Sequence, residues 1–152
     1  FLGANRPAVQ TLQEARKIGG VCVLAHPSRR DAWRLIDPAW LPLYSGIELW
    51  NRKFDGIVPS LHAASLLESA KGAMAFTGLD FHECNQVFPL SMHISITGSN
   101  TPESLLDALR HGNARASAFG MDATVFPSGI SYRALRLADR FRRILSRIIK
   151  GK

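Results

Sequence analysis

The chain has 152 residues, 46% of them hydrophobic and 20% charged, which is the length and composition of one globular domain with a sizeable core. No apolar run approaches the roughly 18 residues that a membrane-spanning helix requires, so we expect no transmembrane segment. The net charge is +7, but residues 131–152 hold eight of the basic residues and one acid, and the other 130 residues are neutral. The high pI therefore describes a basic tail and not a basic domain.

The start of the chain and its cysteines indicate the context in which it works. The sequence begins at Phe1 without the basic start and apolar stretch of a signal peptide, and we expect it to be the interior of a longer chain. Two cysteines, Cys22 and Cys84, do not make a disulfide framework. We therefore expect a reducing, cytoplasmic environment.

Hydrophobic periodicity, together with proline and glycine, predicts strands that alternate with helices. In the first half of the chain the predicted elements are a helix from Asn5 and Pro7 to Gly19-Gly20, a strand over 21–25, short helical pieces over 31–44, a strand over 46–50, a helix over 58–71 and a strand over 73–77. In the second half they are a strand over 92–97, a helix from Thr101 to Gly112, a strand over 114–119, a loop over 120–130 and a basic helix to the end. This alternation is typical of parallel βαβ units, so the predicted fold class is α/β.

Side chains able to bind a metal ion follow two of the predicted strands. His26 lies one residue past the first strand, and Asp80 and His82 follow the third. The carboxyl ends of parallel strands surround a common crevice, where ligands gather. Residues two apart in extended backbone project to the same side. The spacing therefore predicts one pocket that holds all three side chains.

Imidazole and carboxylate together favour particular metals and a particular chemistry. This mixture of nitrogen and oxygen ligands suits Mn, Zn or Fe better than Ca or Mg. Such ions lower the pKa of bound water, and a pair of them can clamp both oxygens of a phosphoester undergoing displacement. A hydrolytic metal centre is therefore the function that these residue types favour.

Three motifs in a fixed order resemble a known family. They are Gly-Gly-Val-Cys-Val-Leu-Ala-His-Pro at residues 19–27, Gly-Ile-Glu-Leu-Trp-Asn at 46–51 and Gly-Leu-Asp-Phe-His at 78–82. The order resembles the C-terminal half of the polymerase-and-histidinol-phosphatase (PHP) superfamily, over about residues 8–119. The resemblance implies that residues 1–130 are part of a distorted (β/α)7 barrel, a TIM-like fold. The residue pattern itself predicts that residues 131–152 are an added basic helix.

The resemblance also implies roles for individual residues. His26 matches a late histidine ligand of the family, and Asp80 and His82 match its final Asp-x-His pair. Glu48 matches a strand-end glutamate that lies near the site without being a ligand. Arg29 resembles an arginine that could bind a substrate phosphate through its bidentate fork. The complete domain would hold two or three Mn, Zn or Fe ions and hydrolyse a phosphoester, either a small molecule or nucleic acid.

The sequence departs from the family in one large respect. The family's opening His-x-His motif and its further His, Asp and Glu ligands have no counterpart here. We therefore expect a missing N-terminal half of the same chain as a partner, and expect this fragment to be inactive without it. Half a barrel would present unpaired strand edges, which a homo-oligomer could cover.

Structural interpretations of the same residues stay open. His26 could be a buried histidine satisfied by backbone carbonyls, and Arg29 could belong to a solvated loop. Glu48 could cap a neighbouring loop or pair with Arg52 or Lys53. Cys84 could be a solvent-edge thiol and no ligand. An amidohydrolase-like metal hydrolase is an alternative within the enzyme class.

The basic tail has its own set of interpretations. Apolar and arginine residues fall on two separate stripes of the predicted helix. The apolar stripe comprises Tyr132, Leu135, Ala138, Phe141, Leu145 and Ile148, and the basic one Arg133, Arg136, Arg140, Arg143 and Arg147. The helix could bury its apolar stripe on the barrel and leave the arginines in water. Otherwise the chain could be a non-catalytic α/β module whose basic helix binds nucleic acid, an anionic membrane or a partner protein.

Overall fold

A computed structural model of the protein describes residues 6–82 and 87–149. The helices are α1 (Ala8–Lys17), α2 (Leu61–Ser69), α3 (Pro102–Arg110) and α4 (Gly129–Ile149). The strands are β1 (Val23–Leu24), β2 (Gly46–Asn51), β3 (Met74–Gly78), β4 (Leu90–Ile94), β5 (Ala114–Ala118) and β6 (Met121–Asp122). Short 3-10 helices lie at Arg29–Leu35, Pro38–Leu43 and Ala123–Val125. The α/β class predicted from the sequence is confirmed.

The first sheet is parallel, as predicted, with β2 between β1 and β3. Five of the six residues of β2 are buried, which explains why this strand reads as a nearly continuous apolar run. A Cβ at Gly46 would collide with the ring of Phe76 on β3, so only glycine fits at the start of β2. The predicted first strand is shorter than expected, because only Val23 and Leu24 pair with β2.

The second sheet is antiparallel, in the order β4-β5-β6, and here the prediction of parallel βαβ units is wrong. The side chains of β4 alternate between exposed positions, such as Ser91 and His93, and more buried ones, such as Leu90 and Met92. Such alternation is typical of an antiparallel strand with one solvated face, and a buried parallel strand does not show it. Helix α3 connects β4 to β5, but the strand that it reaches runs in the opposite direction.

A side-chain contact joins the two sheets where no strand ladder does. The hydroxyl of Thr77 on β3 donates to the main-chain oxygen of Ser91 on β4 (3.0 Å). Trp50, Leu49 and Ala118 belong to the buried cluster between the sheets. Within the part of the chain that the structure describes, the strands form two three-stranded sheets and no closed barrel. The partial barrel therefore stays a prediction.

Polar caps fix two of the helices, one of them as predicted. Thr101 accepts a hydrogen bond from the main-chain N–H of Ser104 at the start of α3. The helix ends before Gly112, whose positive φ of 74° suits the turn that follows. Ser60 caps α2 in the same way, through the N–H of Ala63. The predicted Asn5 cap of α1 lies outside the described residues.

Helix α4 contacts the body through only part of its apolar stripe. Leu135 packs against the core and Asp139 is buried. The apolar side chains of Phe141, Leu145 and Ile148 are instead exposed. The interpretation in which the helix buries its whole apolar stripe on the body therefore does not hold beyond Leu135. Within residues 6–82 and 87–149, no helix combines the length and apolar character that crossing a bilayer requires.

Candidate functional site

The carboxylate of Glu48 joins the carboxyl ends of the three parallel strands. Its Oε2 accepts a hydrogen bond from the main-chain N–H of His26 after β1 (2.5 Å), and its Oε1 accepts one from Nδ2 of Asn51 on β2 (3.0 Å). A Cβ added to Gly78 on β3 would collide with the same Oε1. Glu48 thus caps the loop after β1, which is the structural role considered for it above. This loop belongs to the predicted site.

The loop after β1 presents His26 to an aromatic ring from the loop after β2. The ring centroids of His26 and Phe54 are 4.9 Å apart, in an edge-to-face arrangement. The backbone of His26 has φ +33°, an uncommon value outside glycine, and its N–H bond to Glu48 holds it there. Pro27, the next residue, is fully buried. The backbone of His26 is therefore held by Glu48, and its imidazole lies against Phe54.

Two cations lie against the same Phe54 ring. The guanidinium carbon of Arg29 is 5.1 Å from the ring centroid, and Nζ of Lys53 is 5.7 Å from it. Arg29, the predicted phosphate contact, is exposed beside it. The structure therefore gathers His26, Arg29 and Lys53 around one phenylalanine at the ends of β1 and β2. No motif or spacing in the sequence indicates this role for Phe54.

After β3, the side chains of Asp80 and His82 contact each other, and Asp80 also pairs with Lys53. Nδ1 of His82 lies 3.5 Å from Oδ1 of Asp80 and 2.6 Å from the main-chain oxygen of Asp80. Nζ of Lys53 lies 3.5 Å from Oδ2 of Asp80. Asp80 has φ +48°, which is a left-handed conformation, so the prediction of extended backbone at this residue is wrong. The two side chains nevertheless meet, because the left-handed turn brings them together.

Asp55 is a carboxylate of this region that the sequence analysis missed. It accepts hydrogen bonds from the hydroxyl of Ser28 and from the main-chain N–H of Asn51 (2.7 Å). Burial raises the pKa of Asp55, the two hydrogen bonds oppose that rise, and the nearby charge of Glu48 adds to it. The signal in the sequence is a carboxylate four residues past the end of the buried strand β2, a placement similar to that of Asp80, two residues past the end of β3.

The described residues fit a metal ion only in part. In a tetrahedral site with bonds of 2.0–2.2 Å, two ligand atoms are about 3.4 Å apart. The 3.5 Å between His82 Nδ1 and Asp80 Oδ1 agrees with that separation, but Nδ1 donates to the main-chain oxygen of Asp80 and would have to give up that proton to bind a metal. No group of three His, Cys, Asp or Glu side chains within residues 6–82 and 87–149 is placed to hold a metal. The three-ligand set with His26 therefore stays a prediction, and Cys84 lies outside the described residues.

We expect Asp55 to make the protein less stable as the pH rises. A carboxyl whose pKa is raised by folding binds its proton more tightly in the folded state, so its contribution is greatest below its unfolded pKa of about 4 and is lost as the pH rises through the folded value. Asp55→Asn removes this titration. The free energy of unfolding of the variant, measured by urea denaturation from pH 4 to pH 7.5, should improve relative to the wild type as the pH increases.

Asp31 provides the matched control, since it is exposed. Asp31→Asn should follow the pH dependence of the wild type. A difference between Asp55→Asn and the wild type that does not change with pH would show that the Asp55 carboxyl does not titrate differently on folding.

Comparison of the chain with protein-family models, with curated proteins and with solved structures gives no match.

Proposed function

We propose that the chain is part of a PHP-type metal-dependent phosphoesterase. His26, Asp80 and His82 would hold an Mn, Zn or Fe ion, and Arg29 would bind a substrate phosphate. The observation that carries the proposal is the meeting of the loops after β1, β2 and β3 through Glu48, Phe54 and Lys53. The ordered motifs of the family fall on these same loops. The partial (β/α)7 barrel is part of the proposal.

The chain's own residues would act in three ways. Asp80 and His82 form the pair whose separation suits two metal ligands. Lys53 now neutralises Asp80 and would turn to another anion, such as substrate phosphate, when the carboxylate takes a metal. Glu48 is a positioning residue, because it fixes the backbone of His26. The metal would supply the chemistry by lowering the pKa of water to yield a nucleophile.

The complete active site would need ligands that these 152 residues do not contain. His26, Asp80 and His82 can serve one ion, whereas the family resemblance implies two or three. We assign the others to an N-terminal half of the same protein. Hydrolysis of a phosphoester is accordingly proposed for the complete domain, while metal binding is proposed for this chain.

Zinc binding tests the proposal directly. Zinc at about 100 times its Kd would stabilise the folded chain by about 2.7 kcal/mol, which is about 5–10 °C in Tm for a domain of this size. We expect a shift of this order for the wild type by thermal unfolding, with zinc retained after dialysis by elemental analysis. The double variant Asp80→Asn with His82→Ala should lose both.

His93 supplies the control, because it is an exposed histidine on β4 outside the site. His93→Ala should keep the zinc response. Absence of stoichiometric metal, together with a Tm that neither zinc nor manganese changes, would remove the metal role of this chain.

A second candidate function is favoured by the outer face of α4. Phe141, Leu145 and Ile148 are exposed on a helix that also carries a row of arginines. Such a helix is typical of a docking element, so the chain could be a non-catalytic α/β module. That function predicts no response of the Tm to metal, and the zinc experiment separates the two.

A further inference from the structure

A cleft of about 750 Å³ separates α4 from the loop after β2. This volume falls in the range of small-molecule sites, about 300–1,000 Å³. Asp55 and Val58 line it on the loop side, and residues from Tyr132 to Arg140 line it on the α4 side. Asp55 also accepts a hydrogen bond from Ser28, two residues after His26, so the cleft adjoins the candidate site.

Three arginines of α4 face this cleft. Arg133, Arg136 and Arg140 all line it and all are exposed. Their spacing of three and four residues places them on one side of the helix, over a rise of about 10.5 Å. Within the described parts of the chain, none of the three lies at ion-pair distance from a carboxylate. The row is therefore available to an anion.

The acid on α4 leaves this row of charges uncompensated. Asp139 lines the cleft, but its Oδ1 accepts hydrogen bonds from Nε (3.0 Å) and Nη2 (2.7 Å) of Arg142. The carboxylate is thus paired with a fourth arginine that is not among the cleft residues. The remaining acid, Asp55, is on the opposite wall. An anion in the cleft would bind on the α4 side.

Apolar groups form the rest of the wall. Tyr132, Val58 and Leu137 line the same cleft. The guanidinium carbon of Arg136 lies 5.9 Å from the centroid of the Tyr132 ring, so charge and ring surface are adjacent. A ligand that places a phosphate on the arginines would lay its other end on this apolar surface. Inorganic anions have no apolar group that could contact this surface.

We propose that the cleft binds an organic phosphate, with its phosphate oxygens on Arg133, Arg136 and Arg140 and an aromatic or apolar part against Tyr132, Val58 and Leu137. Guanidinium groups match phosphate oxygens in charge and in bidentate geometry. The ring of Tyr132 offers a face for stacking, as aromatic side chains do with nucleobases. The site goes beyond the proposed hydrolase, since it needs no metal.

Adenosine monophosphate is a suitable probe, with adenosine and inorganic phosphate as its two halves. Isothermal titration calorimetry on the full chain, in the presence of EDTA, should show that the nucleotide binds at least tenfold more tightly than either half. Changing all three arginines to glutamine should weaken nucleotide binding by about 1,000-fold, because losing a hydrogen bond to a charged group costs about tenfold or more at each arginine. Tyr132→Ala should weaken binding of the nucleotide but not of inorganic phosphate.

A second triple variant controls for net charge. Lys17, Lys71 and Arg115 are exposed and lie outside the cleft, and changing them to glutamine removes the same three charges. This control should keep nucleotide affinity within about threefold, as expected when only long-range screened charge is lost. Circular dichroism and Tm establish that both triple variants fold.

Three results would overturn the proposal. Equal losses in the two triple variants would assign the effect to net charge. Equal affinities for the nucleotide and inorganic phosphate would remove the apolar part of the site. Binding of a single-stranded octathymidylate without binding of the mononucleotide would assign α4 to a nucleic-acid backbone. Because EDTA is present throughout, none of these results depends on the zinc experiment.

Discussion

Replacing Trp50 with alanine is expected to lower the free energy of unfolding by about 3–5 kcal/mol, the range for a large aromatic removed from a core. Trp50 is fully buried on the central strand β2. Its ring contacts those of Phe88, Phe119 and Phe126, with centroids 5.9, 6.2 and 5.7 Å away. These neighbours come from outside the parallel sheet. The indole therefore holds the second half of the molecule against the first, and its loss leaves a cavity between them.

Two further variants make the Trp50 experiment specific. Trp50→Phe keeps a ring in the cluster but loses the hydrogen bond from Nε1 to the main-chain oxygen of Gly56 (3.2 Å). We expect it to cost about 1–3 kcal/mol, because the donor to the Gly56 carbonyl and some ring volume are lost. Phe141→Ala removes an exposed ring and should cost about 0.5 kcal/mol or less. Urea denaturation followed by circular dichroism measures all three. A cost below about 1 kcal/mol for Trp50→Ala would contradict the central role of this residue.

Local sequence patterns predicted much of the first sheet. The apolar run at residues 46–50 corresponds to β2, because a strand covered on both faces must be apolar throughout. The capping threonine and the terminal glycine fixed the ends of α3 for equally local reasons. Strand direction depends on pairing between residues that are distant in the chain. For that reason the prediction that β4 belongs to a parallel unit is wrong. Its alternating pattern at residues 90–94 was the available sign of the antiparallel pairing.

In the candidate site, too, some features could be predicted from the sequence and others could not. The placement of His26 and Asp80 after strands could be predicted from sequence, because it depends only on where each strand ends. The positive φ values of both residues could not, since neither is glycine and each turn is held by tertiary contacts. The pairing of Lys53 with Asp80 brings together residues from different loops. Such contacts depend on how the loops fold over the sheet, and spacing along the chain does not encode them.

The sequence shows that α4 is amphipathic but does not show which of its faces contacts the body. Periodicity identifies two faces of a helix but does not state which one contacts the body. Asp139 is buried and pairs with Arg142, whose side chain is itself half-exposed. The apolar side chains of Phe141 and Ile148 lie on another side and are exposed. On this helix an acid is buried while several apolar side chains are exposed, so apolar character alone does not mark the face that contacts the core.

Removing the Glu48 carboxylate is expected to cost about 2–4 kcal/mol. Glu48→Ala leaves the N–H of His26 and the amide of Asn51 without their acceptor, and each unsatisfied donor costs about 1–3 kcal/mol when shielded from water. Glu48→Gln keeps one acceptor oxygen and should cost less. Urea denaturation measures the loss for both variants. A cost for Glu48→Ala below about 1 kcal/mol would show that water replaces the carboxylate at this site.

Gly78 gives the Glu48 prediction its sharpest test. Gly78→Ala should be destabilising in the wild type, since its Cβ would collide with Oε1 of Glu48, yet better tolerated once residue 48 is alanine. We therefore expect the double variant to be more stable than the sum of the single losses predicts, by about 1 kcal/mol or more, as for residues in direct contact. Leu12→Ala in α1, buried away from this site, should add its cost independently. Additive losses for Glu48 and Gly78 would mean that the carboxylate does not occupy the space beside β3, and the three strand ends would then lack their common tie.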